Sequence, residues 1–149
     1  MENQGIVTAI NISAKKGVSK KSIPQGNFIA DYGLEGDAHA GKWHRQVSLL
    51  AQESIEKMEK QSKKGLCSGK FAENITTKGI ALHKLPVGTK LKIGGTIQEI
   101  TQIGKECHDE CEIKKEVGQC IMPKKGIFTK VILGGIIKKG DLIKIINYD

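Results

Sequence analysis

Arginine is almost missing from this chain. Of 24 basic residues, Arg45 is the single arginine, which leaves 23 lysines. A net charge of +8 would otherwise suggest a nucleic-acid partner. The fork-shaped side chain that reads bases and phosphates is nearly absent, however. Aromatic residues are also few. Phe28, Tyr32, Trp43, Phe71, Phe128 and Tyr148 are scattered and form no stacking ladder. The lysines therefore read as a solvated surface that keeps the chain soluble, and no nucleic-acid partner is expected. No apolar run approaches the roughly 18 residues of a membrane span. Met1-Glu-Asn-Gln-Gly5 shows no basic region leading into an apolar core, so no secretory signal and a cytoplasmic location are expected. There is no internal repeat, no low-complexity tract and no proline-rich linker.

What is present fits one globular domain over residues 1–149, with 38% hydrophobic and 27% charged residues. Eighteen glycines cut the chain into short segments. Gly5–Ser13, Gln46–Leu50, Phe71–Thr77, Lys90–Ile93, Thr96–Ile103, Gly126–Leu133 and Leu142–Ile146 read as strands. Gly94-Gly95 marks a hairpin between two of them. Leu50, Ile55 and Met58 recur at helical spacing, which predicts the one main helix from Leu50 to about Gln61. Lys15 to Lys21, with four lysines, reads as an exposed loop. Short strands with one main helix predict a mainly β fold, a closed or nearly closed β-barrel with short helical turns.

Two segments gather polar groups that suit a ligand. Gly33 to Gln46 holds Gly36, Asp37, His39, His44 and Arg45 among turn-forming glycines. Arg45 offers a planar fork to a phosphate or carboxylate. The alternative is a polar surface turn in which Asp37 bonds its own loop. His39 and His44 are five residues apart and would not share a helix face, which argues against a helical metal pair. In Phe71–Thr77, Glu73 and Asn74 enter a strand. The Asn74 amide both donates and accepts, so it suits orienting a ligand. An ordinary turn is the alternative.

Cysteine is sparse but clustered. Cys107, Cys111 and Cys120 fall within fourteen residues, and Cys67 stands apart with no expected role. In a reducing compartment these thiols read as metal ligands or nucleophiles before disulfides. With His108 they supply four ligands for zinc or an iron–sulfur centre, though the spacing lacks two close pairs. A single thiolate is the other option. Lys105, His108 and Lys124 favour ionisation, while Glu106, Asp109, Glu110 and Glu112 oppose it. Buried small apolar side chains are the third.

These residues together carry a resemblance. Gly33-x-x-Gly-Asp-x-His-x-Gly41, Arg45-Gln-Val-Ser-Leu-Leu50, Gly69-x-Phe-x-Glu-Asn-Ile-Thr-Thr77, Leu85-Pro-Val-Gly-Thr89, Gly104-Lys-Glu-Cys-His108, Met122-Pro-x-x-Gly-Ile-Phe128 and Gly140-Asp141 run in order along the chain. As a set they resemble a small stand-alone MOSC domain, the module named for the C-terminal part of molybdenum-cofactor sulfurases. The resemblance implies a barrel related to that of pyruvate kinase. It implies a cleft for molybdopterin-type cofactors, or for sulfur bound for them, with Gly36, Asp37, His39, Arg45, Glu73 and Asn74 around the cofactor. Larger relatives carry a persulfide or ligate molybdenum through a cysteine that follows a Thr-Gln strand. Thr101-Gln102 before Cys107 fits, so that role falls first on Cys107, with Cys111 and Cys120 as rivals. Glu106 departs from the proline or arginine that often precedes this cysteine.

The expected function is thus a molybdenum-cofactor-binding or sulfur-carrier module that works with larger cofactor-maturation enzymes. A stand-alone molybdenum-dependent reductase of N-hydroxylated compounds is the enzymatic alternative, and a Cys/His zinc or iron–sulfur domain is the other. Without a cysteine-desulfurase domain, no pyridoxal phosphate is expected, and the chain should not itself extract sulfur from cysteine.

Overall fold

A computed structural model describes residues 4–16, 18–62, 71–104 and 126–146, with the side chains of 59–62 set aside. Seven of its strands close a barrel. They are β1 (Gln4–Ile12), β5 (Val47–Ala51), β6 (Ile75–Lys78), β7 (Lys90–Ile93), β8 (Thr96–Ile103), β9 (Ile127–Leu133) and β11 (Leu142–Ile145). The order around the sheet is β11-β7-β8-β9-β5-β6-β1, and pairing of β11 with β1 completes the ring. β2 (Lys21–Ile23) extends β1 at its far end. β3 (Gln25–Ile29), β4 (Gly33–Leu34) and β10 (Gly135–Lys138) form a separate three-stranded sheet.

The sequence pattern explains the ring. β7 buries Leu91 and Ile93 and exposes Lys90 and Lys92, the alternation of a strand with one wet face. Ile93 pairs with Thr96, so Gly94-Gly95 forms the expected two-residue hairpin. β5 is buried throughout, and it pairs in parallel with β6. Parallel neighbours need a crossover, and α1 (Gln52–Ser62) lies in that connection. Ile55 and Met58 bury its inner face, and Glu53 sits favourably in its first turn. A short 3₁₀ turn spans Leu82–Lys84. Val7, Ile10, Phe28, Leu49, Ile100 and Ile143 are among the fully buried side chains of the core.

The mainly β barrel matches the expectation, with local differences. Leu50 belongs to β5, not to the helix: its full burial reflects the barrel wall. The strand expected from Phe71 begins only at Ile75, because Ala72 takes a positive φ of 65° and turns the chain first. The loop from Lys15 to Lys21 is not exposed throughout. Lys20 is buried, because a carboxylate from another loop receives it.

Candidate functional site

The loop from Glu35 to Gln46 is built inward from its carboxylate. Asp37 is buried, and its Oδ1 accepts from Lys20 Nζ at 2.8 Å and from the Ser13 amide at 3.0 Å. Its Oδ2 accepts from the His39 amide at 3.0 Å. Burial pushes this carboxyl upward. Hydrogen bonds from Lys20 and from the His39 amide, with the Lys20 charge, outweigh that and hold it well below the usual carboxylate range. Lys20 also reaches Ser13 Oγ at 3.1 Å and His39 Nδ1 at 3.0 Å. An ammonium only donates, so Nδ1 is the acceptor and the ring proton sits on Nε2. The longer separation of Nδ1 from Asp37 Oδ2, 3.6 Å, agrees with that assignment.

The far end of the loop is pinned by the barrel. Gln46 Oε1 accepts from the Val131 amide at 2.9 Å, and its Nε2 donates to Asp31 at 3.1 Å. Gly33, at φ 117°, permits this approach: a Cβ there would meet the Gln46 carbonyl oxygen at 2.7 Å. Thr101 on β8 donates through its hydroxyl to the His44 carbonyl. Gln102 donates to the Gly104 carbonyl at 2.7 Å, which turns its Oε1 toward His44 Nε2 at 2.9 Å. His44 therefore donates to Gln102 through Nε2.

Arg45 emerges between these anchors. Its guanidinium carbon lies 4.6 Å from the Trp43 ring centroid and 5.7 Å from that of Phe128. Lys16 Nζ approaches the same Trp43 ring at 4.9 Å. Trp43 Nε1 donates to the His39 carbonyl at 2.7 Å, so the indole is fixed by the same loop. Arg45 Nε is buried with no hydrogen-bond partner, and among the described residues neither Arg45 nor Lys16 forms an ion pair. Among the described residues, two cations thus approach one aromatic ring with no carboxylate paired to either. Such a group favours an anion, held by the guanidinium over an apolar platform.

Glu73 and Asn74 are fully buried at the start of β6. Glu73 accepts from the Phe71 amide at 3.3 Å and from Thr76 Oγ1 at 2.8 Å. Asn74 Oδ1 accepts from the Ser48 amide at 3.0 Å and hydroxyl at 3.1 Å, and Nδ2 donates to the Asn11 carbonyl at 3.3 Å. These groups tie β1, β5 and β6 together. Gly36, at φ 88°, turns the loop into Asp37.

This fold has relatives. The MOSC domain profile matches residues 36–144 of the chain. The chain belongs to the MOSC-domain family. No curated protein gives a significant sequence match. Among solved structures, the MOSC chain is similar to the YuaD protein of Bacillus subtilis, with a TM-score of 0.79 at 16% identity over 98% of this chain and 97% of that one. It is also similar to YiiM of Geobacillus stearothermophilus, with a TM-score of 0.72 at 17% identity over 96% of this chain and 75% of that one. For YiiM of Escherichia coli the TM-score is 0.70 at 14% identity, over 97% and 71%. At these identities the likeness is one of fold. At the level of the family, the MOSC domain is a module associated with the molybdenum cofactor.

Of the residues expected at the MOSC cofactor site, Gly36, Asp37, His39 and Arg45 share one loop, while Glu73 and Asn74 brace the barrel wall. Cys67, Cys107, Cys111 and Cys120 lie outside the described residues, as does His108. Among the described residues no three of His, Cys, Asp and Glu gather as metal ligands, and no helix is long and apolar enough to cross a membrane. Sequence reading missed Lys20, Trp43, Gln102 and Phe128. Lys20 stands between Ser19 and Lys21 with no signal of burial, and Phe128 comes near Arg45 because β9 pairs with β5.

Proposed function

We propose that this MOSC chain receives the molybdenum cofactor, or sulfur destined for it, in a cleft beside the end of β8. Arg45 holds the phosphate-bearing end of the ligand. Trp43 and Phe128 give the guanidinium its apolar platform, and Lys16 adds positive charge. The observation that carries this reading is the Arg45 guanidinium itself: buried at Nε, stacked on two rings and unpaired among the described residues. The bound cofactor would supply molybdenum for sulfur or oxygen-atom chemistry. The chain's residues bind and orient it: Asp37 and Lys20 hold the loop, and Thr101 and Gln102 latch that loop to the strand leading toward Cys107. Cys107 is the proposed sulfur carrier or molybdenum ligand, ahead of Cys111 and Cys120. The proposed partners are larger cofactor-maturation enzymes.

Anaerobic binding of molybdopterin-form cofactor tests both assignments. Arg45→Ala should weaken binding by about 10- to 100-fold, as expected for loss of a charge-assisted hydrogen bond. Unchanged affinity in a folded variant would refute the role of Arg45. Cys107→Ser should abolish sulfur loading or molybdenum ligation, and Cys67→Ser should leave both intact. If Cys111→Ser or Cys120→Ser abolishes loading instead, the carrier is that cysteine.

A further inference from the structure

A second cationic site lies at the opposite end of β8. A cavity of about 420 Å³ is lined by Lys92 of β7, Lys138 of β10 and Lys144 of β11, with Gly94, Gly95 and Asp141. Lys92 and Lys144 are directly opposed in the antiparallel register, and both are exposed. Side chains at such positions start roughly 5 Å apart, so equal charges there are destabilising. The third ammonium comes from the other sheet, which adds positive charge to the same cavity.

Among the described residues, one carboxylate in the lining opposes this charge. Asp141 is the single carboxylate in the lining, and its Oδ2 accepts from the Lys138 amide at 2.8 Å. Among the described residues none of the three lysines forms an ion pair. The glycine turn keeps the cavity open at its floor. A Cβ at Gly94, whose φ is 54°, would meet Asp141 Oδ2 at 2.5 Å. A like-charged pair opposed across a barrel seam, with a third cation beside it, is electrostatically unfavourable until an anion enters.

We propose that this cavity binds a small phosphate-bearing molecule through Lys92, Lys138 and Lys144. The volume exceeds that of a single phosphate and falls in the lower part of the roughly 300–1,000 Å³ range of small-ligand sites. A diphosphate-sized group suits a cavity lined by three lysines. The site is separate from the Arg45 loop. Thr96 opens β8 next to the Gly94-Gly95 turn, whereas Thr101 and Gln102 contact His44 at the other end. At about 3.3 Å per residue the two ends are roughly 20 Å apart.

The test is a titration of the protein with inorganic pyrophosphate at low salt, followed through its backbone amide NMR signals. Saturable shifts at Gly94, Gly95 and Leu142 are expected. Lys92→Gln and Lys144→Gln should each weaken the binding read at these amides about tenfold, while in Arg45→Ala the shifts at Gly94, Gly95 and Leu142 persist. Without ligand at low salt, Lys92→Gln should also melt at a higher temperature than the parent, because it removes the opposed charge. Shifts that stay linear and spread over all lysines at millimolar pyrophosphate would overturn the proposal, because they mark counter-ion screening. Loss of the shifts in Arg45→Ala would also overturn it. So would duplex DNA moving the same amides at lower phosphate concentration than pyrophosphate does.

Discussion

Lys20 is where a single side chain decides the shape of the Arg45 loop. Its ammonium and the Asp37 carboxylate are both fully buried, 2.8 Å apart. Removing one partner of such a pair leaves the other charged in the interior, which typically costs about 3–5 kcal/mol. Lys20→Met should therefore lower the unfolding free energy by roughly that amount. The double change Lys20→Met/Asp37→Asn should be milder, because no orphan charge remains. Urea unfolding of the two variants measures this, and a single variant no worse than the double would remove the pair from the account. Lys20 also dictates the His39 tautomer through the 3.0 Å contact at Nδ1. In Lys20→Met the imidazole proton should move toward Nδ1 and the Asp37 carboxylate, a change visible in the ring nitrogen shifts. None of this was legible in the sequence. A lysine among lysines reads as solvated, and its partner lies in a different loop.

The strands were more legible than the loops, for reasons that differ from strand to strand. β7 and β8 announce themselves through alternation and the Gly94-Gly95 turn, both local signals. β2, β3 and β4 do not. Lys21–Ile23 is three residues long and is followed by Pro24, and Gly33–Leu34 is a two-residue pairing. Such strands exist because β10 and β1 supply partners from elsewhere in the chain. Glu73 and Asn74 illustrate the same limit. Their sequence context suits a ligand or a turn equally, and only the positions of Ser48, Asn11 and Thr76 show where their polar atoms go. Asn74 joins β5 to β1 at the start of β6, so Asn74→Ala leaves the Ser48 amide and the Asn11 carbonyl short of partners. A loss of about 2–4 kcal/mol follows from two buried groups at 1–3 kcal/mol each, less relaxation. Denaturant unfolding checks it. A loss below about 0.5 kcal/mol would mean that water replaces the amide without penalty.

For the whole barrel, acid is the condition that separates the buried pair from the many surface charges. Exposed lysines stay protonated across the acidic range and contribute little change there. Asp37 differs, because its folded carboxyl titrates well below the ordinary value of about 3.9 that it has when unfolded. Above that ordinary value its contribution to stability is fully present. As pH falls below about 4, the unfolded chain binds a proton that the folded chain still refuses, so stability declines until the folded carboxyl itself is protonated. The slope from this one group approaches 1.4 kcal/mol per pH unit. The parent chain should thus lose stability between about pH 4 and pH 2.5 more steeply than Lys20→Met/Asp37→Asn, by up to that slope. Urea midpoints measured across this window for both proteins provide the comparison. Parallel declines would show that Asp37 is not the acid-sensitive group, and that the Arg45 loop is held by its backbone contacts and by Gln46 instead.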